Sequence, residues 1–287
     1  MNPKGALALI PLCLSLSVVR TVSEADAAEP QRLISLAPSV TETIFALGAG
    51  DRLVGVSVYC DYPPEVARID RVGTFLTPNV EAILAKRPDL VVVVPSPGNQ
   101  SPVEMLERLG LQVLVVDPNS IAEIDDSILT IGRAIGREPQ ARALVATIEQ
   151  RVAAVEARLG DTPVRSALMT VGHTPLIAAG AGTLQDELIR RAHARNLAAP
   201  AGGGWPRLGI EFVIAAAPEV VIDTTMGNEE TPGAPGAMRF WKAYPTIPAV
   251  RDGRVYGEGA YVLLRPGPRV AEAMELMARL IHPERFE

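Results

Sequence analysis

A segment of this chain repeats at an offset of 130 residues, and no other feature limits the fold as much. The first copy reads Phe75-Leu-Thr-Pro-Asn-Val-Glu81-Ala-Ile-Leu-Ala-Lys-Arg-Pro88-Asp89-Leu-Val-Val-Val. The second reads Trp205-Pro-Arg-Leu-Gly-Ile-Glu211-Phe-Val-Ile-Ala-Ala-Ala-Pro218-Glu219-Val-Val-Ile-Asp223. An aromatic, a glutamate, a proline, an acid and a β-branched run recur in register. Two copies are too few for a solenoid; they suit two similar lobes.

Each copy is legible physically. Asn79 can cap a short helix whose Val80, Ile83 and Leu84 face inward, with Glu81 in the first turn, where the helix dipole favours an acid. Pro88 ends that helix. Leu90 to Val94 is then a continuous apolar run, as in a strand covered on both faces. The second copy repeats this with Gly209, Ile210, Val213 and Ile214, then Pro218 and a strand from Val220 to Ile222.

Strands and helices alternate elsewhere too, which predicts an α/β fold with mainly parallel sheets. Strands are expected at Leu33 to Leu36, Leu53 to Val56, Val113 to Val116, Ala167 to Val171 and Val255 to Tyr256. Ser39-Val-Thr-Glu42 reads as a capping box opening a helix that ends before Gly48. Further helices are expected at Val103 to Leu109, Leu184 to Ala194 and Val270 to Ile281. Ile121 to Leu159 is helical in character, and Gln140 to Leu159 places apolar residues at 144, 148, 152, 155 and 159. That is one stripe of a helix spanning roughly 30 Å, a stiff connection between lobes; a covering helix of one large domain is the alternative.

Lys4, then a largely apolar stretch of 14 residues from Ala6 to Val19, and then Ser23-Glu-Ala-Asp-Ala-Ala28 has the pattern of a cleavable signal peptide. The apolar run is short for a membrane span; an uncleaved anchor is the alternative. Cys13 lacks the small residue expected before a lipidated cysteine, so a soluble exported protein is expected. The division is therefore a signal peptide at 1–28, an N-terminal lobe at 29–120, a connecting segment at 121–160 and a C-terminal lobe at 161–287. Only Cys60 remains after cleavage, so no internal disulfide forms, and the three histidines have no zinc-like spacing. A net charge of −6 argues against nucleic-acid binding.

Several motifs resemble one family. Arg32-Leu-Ile-Ser-Leu-Ala-Pro-Ser39-Val-Thr-Glu42, Tyr59-Cys-Asp61-Tyr62-Pro63-Pro64-Glu65, and Val72-Gly-Thr-Phe75 before Asn79-Val-Glu81 are similar to the periplasmic binding proteins with a helical backbone. These serve ABC importers for cobalamin, heme and ferric siderophores. The Tyr-Cys-Asp-Tyr-Pro-Pro stretch and Trp205-Pro206 look most like the cobalamin-binding members. The resemblance implies a ligand cleft between the lobes, a monomer, and as partners a permease with its ATPase and a small-molecule metal chelate. Glu81 and Glu211 match a pair of acids, one per lobe, that dock on arginines of the importer. Phe75 and Trp205 match aromatics set against the ligand, although the closest cobalamin-binding members carry the larger tryptophan at the first position. Tyr59, Tyr261 and Arg265 match cleft positions, with Arg265 the clearest cation for an anionic chelate. Arg269 is a cleft residue or a structural contact. Asp61 reads as the cap of the turn at Pro63-Pro64, and Cys60 as a small buried residue or a soft metal ligand.

No catalytic residues and no metal site of the protein's own are expected. A two-lobed α/β enzyme is the reading from another class. However, Gly202-Gly-Gly204 precedes Trp-Pro instead of a phosphate-cradling helix, and His173 and His193 have no partner in the sequence. A binding protein that signals instead of transporting is the third reading.

Overall fold

The computed structural model of the protein describes residues 29–225, 234–257 and 260–287. The expected signal peptide, residues 1–28, lies outside the described residues.

The N-terminal half runs β1 (Leu33–Ser35), α1 (Pro38–Ala46), β2 (Leu53–Val56), α2 (Val80–Ala85), β3 (Leu90–Val93), α3 (Gln100–Arg108) and β4 (Val113–Val115). Its four strands pair in parallel in the order β2-β1-β3-β4. Two helices follow, α4 (Ile121–Ala134) and α5 (Glu138–Leu159). The C-terminal half continues with β5 (Arg165–His173), β6 (Leu176–Ala178), α6 (Leu184–Arg191), β7 (Ala194–Asn196), α7 (Ile210–Ala216) and β8 (Val220–Asp223). It closes with α8 (Ala234–Trp241), α9 (Pro248–Arg251), β9 (Val255–Tyr256), α10 (Ala260–Leu264) and α11 (Val270–Ile281). Here β7, β8 and β9 run parallel in the sheet built on β5, and β6 folds back antiparallel. The fold is α/β with two lobes, as the repeat implies.

Alternation along the strands divides the core. Leu33, Leu90 and Val92 join Ala167, Met169, Val220 and Ile222 in one apolar cluster with α1, α4, α5, α6 and α11. Ile34, Val91 and Val93 point the other way, onto Ile83 of α2 and Leu106 of α3. Leu168 and Val221 likewise face Val213 of α7 and Trp241 of α8. Both sheets are therefore buried on two faces, which accounts for their unbroken apolar runs. The long helix α5 buries Ala141, Val145, Ile148, Val152, Val155 and Leu159, and each of its large aliphatics contributes about 1.5–3 kcal/mol. Because this stripe packs on elements of both halves, α5 is a shared beam.

The repeat survives in three dimensions. Ile83 and Val213, 130 residues apart, are the buried anchors of α2 and α7. Arg87 and Ala217, each just before its proline, both take positive φ, 48° and 50°. Asp89 accepts from the backbone N–H groups of Gln31 and Arg32, while Glu219 accepts from Ser166 N–H and its hydroxyl. The repeated acid thus ties down the start of the neighbouring central strand in each half.

Three sequence expectations need correction. The α1 helix begins at Pro38 with Ala37 as N-cap and no side-chain cap bond; Glu42 is buried and engaged elsewhere, so there is no capping box. The helix opened by Thr183, whose hydroxyl accepts from Asp186 N–H, stops at Arg191. His193 turns to φ 52°, and Ala194–Asn196 then pairs with β5. Finally, Gln100 and not Val103 opens α3.

One carboxylate, on α4, carries a cost. Asp125 Oδ1 is buried without a hydrogen-bond partner. Burial first, then the negative charges of Glu149 and Asp126, push its pKa up to about 6. A carboxyl with a raised folded-state pKa makes stability fall as pH rises from its unfolded value, about 3.9, through 6. A shift of that size corresponds to ~3 kcal/mol in a sealed site and, with partial exposure and screening, to about 1 kcal/mol here. Asp125→Asn is expected to raise the thermal midpoint at pH 8 and to lose that advantage below pH 4. Equal midpoints at pH 8 would refute it.

Candidate functional site

In open α/β sheets, ligands bind beyond the carboxyl ends of the strands, and most of the expected cleft residues lie there. Tyr59 follows β2, and its ring sits 5.4 Å from that of Phe75 at a tilt of 59°. Tyr59 is 49% exposed and Phe75 half-buried. The Phe75 loop is held from both sides. Asn99 Nδ2, itself buried, donates to the Phe75 carbonyl at 2.9 Å and to the Val94 carbonyl at 2.8 Å. Gly73 starts the loop at φ 101°, where a Cβ would lie 2.5 Å from Asn79 N, so only glycine fits. Beside this loop, a cavity of about 410 Å³ opens at the ends of β3 and β4, lined mainly by Val93, Pro95, Val103 and Val115.

Trp205 is presented by paired glycine backbones. Gly180 N donates to Gly204 O at 2.8 Å, and Ala181 N to Gly202 O at 3.0 Å. A Cβ on Gly180 would strike Gly202 O at 2.3 Å. The glycine run therefore serves a close backbone approach that leaves the indole 44% exposed. Tyr261, in α10 beyond β9, is 55% exposed, with the Arg265 guanidinium 5.3 Å from its ring centre. Exposed aromatics on pinned backbone can offer large contact area at little entropy cost.

Arg265 is already engaged. It makes two bonds to Asp61, at 2.5 and 2.8 Å, and one to Glu42 at 3.2 Å. Arg269 reaches both oxygens of Glu42, at 2.8 and 2.9 Å, and lies over the Tyr62 ring at 4.2 Å. Asp61 is thus no turn cap: hydrogen bonding to Arg265 holds its carboxyl below the usual range, and Pro63 is the N-cap of the following turn. Glu42 and Asp61 belong to the N-terminal half, the two arginines to the segment before α11. The four side chains lock the halves together. Cys60 is buried, held by the hydroxyls of Thr41 and Ser57.

His173 does have a partner, contrary to the sequence reading. At the end of β5 its Nε2 lies 2.5 Å from Asp223 Oδ2, at the end of β8. Asp223 also accepts from Trp241 Nε1 at 2.7 Å and from Thr225 N–H at 3.0 Å. Burial pushes the Asp223 carboxyl up, but the bonds from His173 and Thr225 outweigh it and hold the carboxyl below its ordinary value. The imidazole stacks on Phe240 at 4.0 Å. The sequence signals for this site were an acid closing the apolar run Val220-Val-Ile and a histidine just after the expected strand Ala167 to Val171.

Glu81 and Glu211 lie on other elements. Each occupies the first turn of its helix, α2 or α7, and each is exposed. Among the described residues neither forms an ion pair.

The family model described as periplasmic binding protein matches residues 33–261. An uncharacterized ABC transporter substrate-binding lipoprotein of Bacillus subtilis is 32% identical over 266 residues, covering 90% of this chain and 82% of that protein. A vitamin B12-binding protein of Yersinia pseudotuberculosis is 30% identical over 250 residues, 87% of each chain. Among solved structures, the periplasmic heme-binding protein RhuT of Roseiflexus superposes with a TM-score of 0.80 at 28% identity, covering 89% of this chain and 99% of that one.

Proposed function

The chain belongs to the periplasmic binding protein family, and from that premise we propose that it captures cobalamin or a related corrinoid between its lobes and delivers it to an ABC importer. It acts as an exported protein whose leader is residues 1–28, with lobes at 29–120 and 161–287 around the helical connection. One observation carries the choice of cargo. The rim offers Tyr59, Phe75, Trp205 and Tyr261 as apolar surface, while Arg265, the cation an anionic chelate would use, is already matched by Asp61 and Glu42. Broad aromatic walls suit a flat corrin; an anionic siderophore would have to displace two carboxylates. The relative named for vitamin B12 supports this reading. Hemin is the second candidate, favoured by the half-exposed Tyr59 phenol and by the heme-binding structural relative.

Calorimetric titration with cyanocobalamin, hemin and a ferric hydroxamate tests the assignment. Micromolar or tighter binding of cyanocobalamin is expected. Saturation by hemin alone, with a shifted Soret band, would overturn it. Trp205→Ala is expected to weaken cyanocobalamin binding by about 10–100-fold, since a central aromatic anchor is worth about 1.5–3 kcal/mol. An unchanged Kd would remove Trp205 from the cleft.

A further inference from the structure

The His173–Asp223 pair is unexplained by aromatic capture of a flat ligand. Asp223 does not need the histidine: Trp241 Nε1 already donates to Oδ2, and Thr225 N–H to Oδ1. The dependence runs the other way. An imidazole nitrogen 2.5 Å from an ionised carboxylate must carry the proton. Nε2 is therefore the N–H, and in the neutral ring Nδ1 is left with its lone pair. Phe240, stacked at 4.0 Å and 6° from coplanar, fixes the ring plane. A carboxylate that sets the tautomer and orientation of a histidine is the usual support of a metal-ligating imidazole.

The pair also lies at the edge where a ligand is met. β5 and β8 are adjacent and parallel, and they end at His173 and Asp223. The chain turns back at His173 into β6, and the segment that follows Trp205 runs along β6, with Ala178 N donating to Pro206 O and Leu208 N to Leu176 O. His173 and Trp205 thus belong to one continuous rim. The His173 side chain keeps 19% of its surface exposed. A chelated metal already has its equatorial donors and asks one axial atom of the protein.

We propose that His173 is an axial ligand for the metal of the bound chelate, with Asp223 as its positioning residue; this rests on the corrinoid reading above. The selected form is then a cobalt(III) corrinoid whose axial position holds exchangeable water. Water leaves cobalt, and the Nδ1 lone pair forms the new bond. No electron is transferred, and the proton stays on Nε2 beside Asp223.

Aquocobalamin and cyanocobalamin, in which cyanide blocks that position, separate this inference from the cargo assignment. Both are titrated into the purified protein and followed by visible absorption. Bound aquocobalamin should change to the spectrum of a nitrogen-ligated cobalamin and bind at least tenfold more tightly than cyanocobalamin. In His173→Gln the spectral change should vanish and the preference fall to within twofold. Asp223→Asn, which can offer an N–H to Nε2 and so move the proton to Nδ1, should also lose the spectral change; if that variant does not fold, His173→Gln decides. An aquocobalamin spectrum unchanged on binding, or a change that survives in His173→Gln, overturns the ligation and leaves the cargo standing. Binding of neither corrinoid overturns the cargo assignment itself.

Discussion

Charge reversal at both Glu81 and Glu211 is expected to reduce uptake by at least an order of magnitude while the Kd for cyanocobalamin changes less than twofold. Both acids are exposed in the first turns of α2 and α7, and neither is paired among the described residues. Loss of each from its helix start costs only about 0.3–1 kcal/mol of stability, so the variant remains folded. Like charges placed against a basic docking surface, by contrast, cost several kcal/mol. The two sites lie in equivalent places on the two halves, outside the sheets, on helices anchored by Ile83 and Val213. Single reversals should give intermediate uptake, and the double variant the full loss. The measurement is ATP-dependent transport by the importer reconstituted in vesicles, with calorimetry on the isolated protein. Collapse of ligand affinity would place the acids in the cleft; unimpaired transport would place docking on another surface.

What the chain reveals before folding depends on the distance between interacting residues. Periodicity and caps are local, so the parallel strands, the stripe of α5 and the cap at Asn79 were all legible. So was the repeat, because it duplicates a local pattern. The expected cleft aromatics Tyr59 and Phe75 do meet. What escaped were charge contacts between distant residues: Asp61 with Arg265 across 204 positions, Glu42 with Arg269 across 227, and His173 with Asp223 across 50. Ser39-Val-Thr-Glu42 satisfied every local rule for a capping box. The glutamate went instead to two guanidiniums, because a buried carboxylate bonded to both is more strongly stabilised than one at an exposed helix start.

Glu42→Ala is therefore expected to destabilise the fold by about 3–5 kcal/mol, the cost of removing one partner from a buried ion pair. Glu42 is 3% exposed and accepts three bonds, one from Arg265 and two from Arg269. With the carboxylate gone, Arg265 keeps Asp61, but among the described residues Arg269 keeps only its contact over the Tyr62 ring. A cavity of about 410 Å³ beside Glu42, Tyr62 and Arg269 can admit water, which moderates the cost. Glu42→Gln, which keeps an acceptor but loses the charge, should lie between alanine and wild type. Because Glu42 is in the N-terminal half and both arginines precede α11, the loss falls on the joint between the halves. Urea denaturation should show a lowered midpoint, with the slope unchanged if unfolding remains all-or-none. A reduced slope would mean that the halves have begun to unfold separately. An unfolding free energy within about 0.5 kcal/mol of wild type would mean that the shared packing of α5 carries the joint without the ion network.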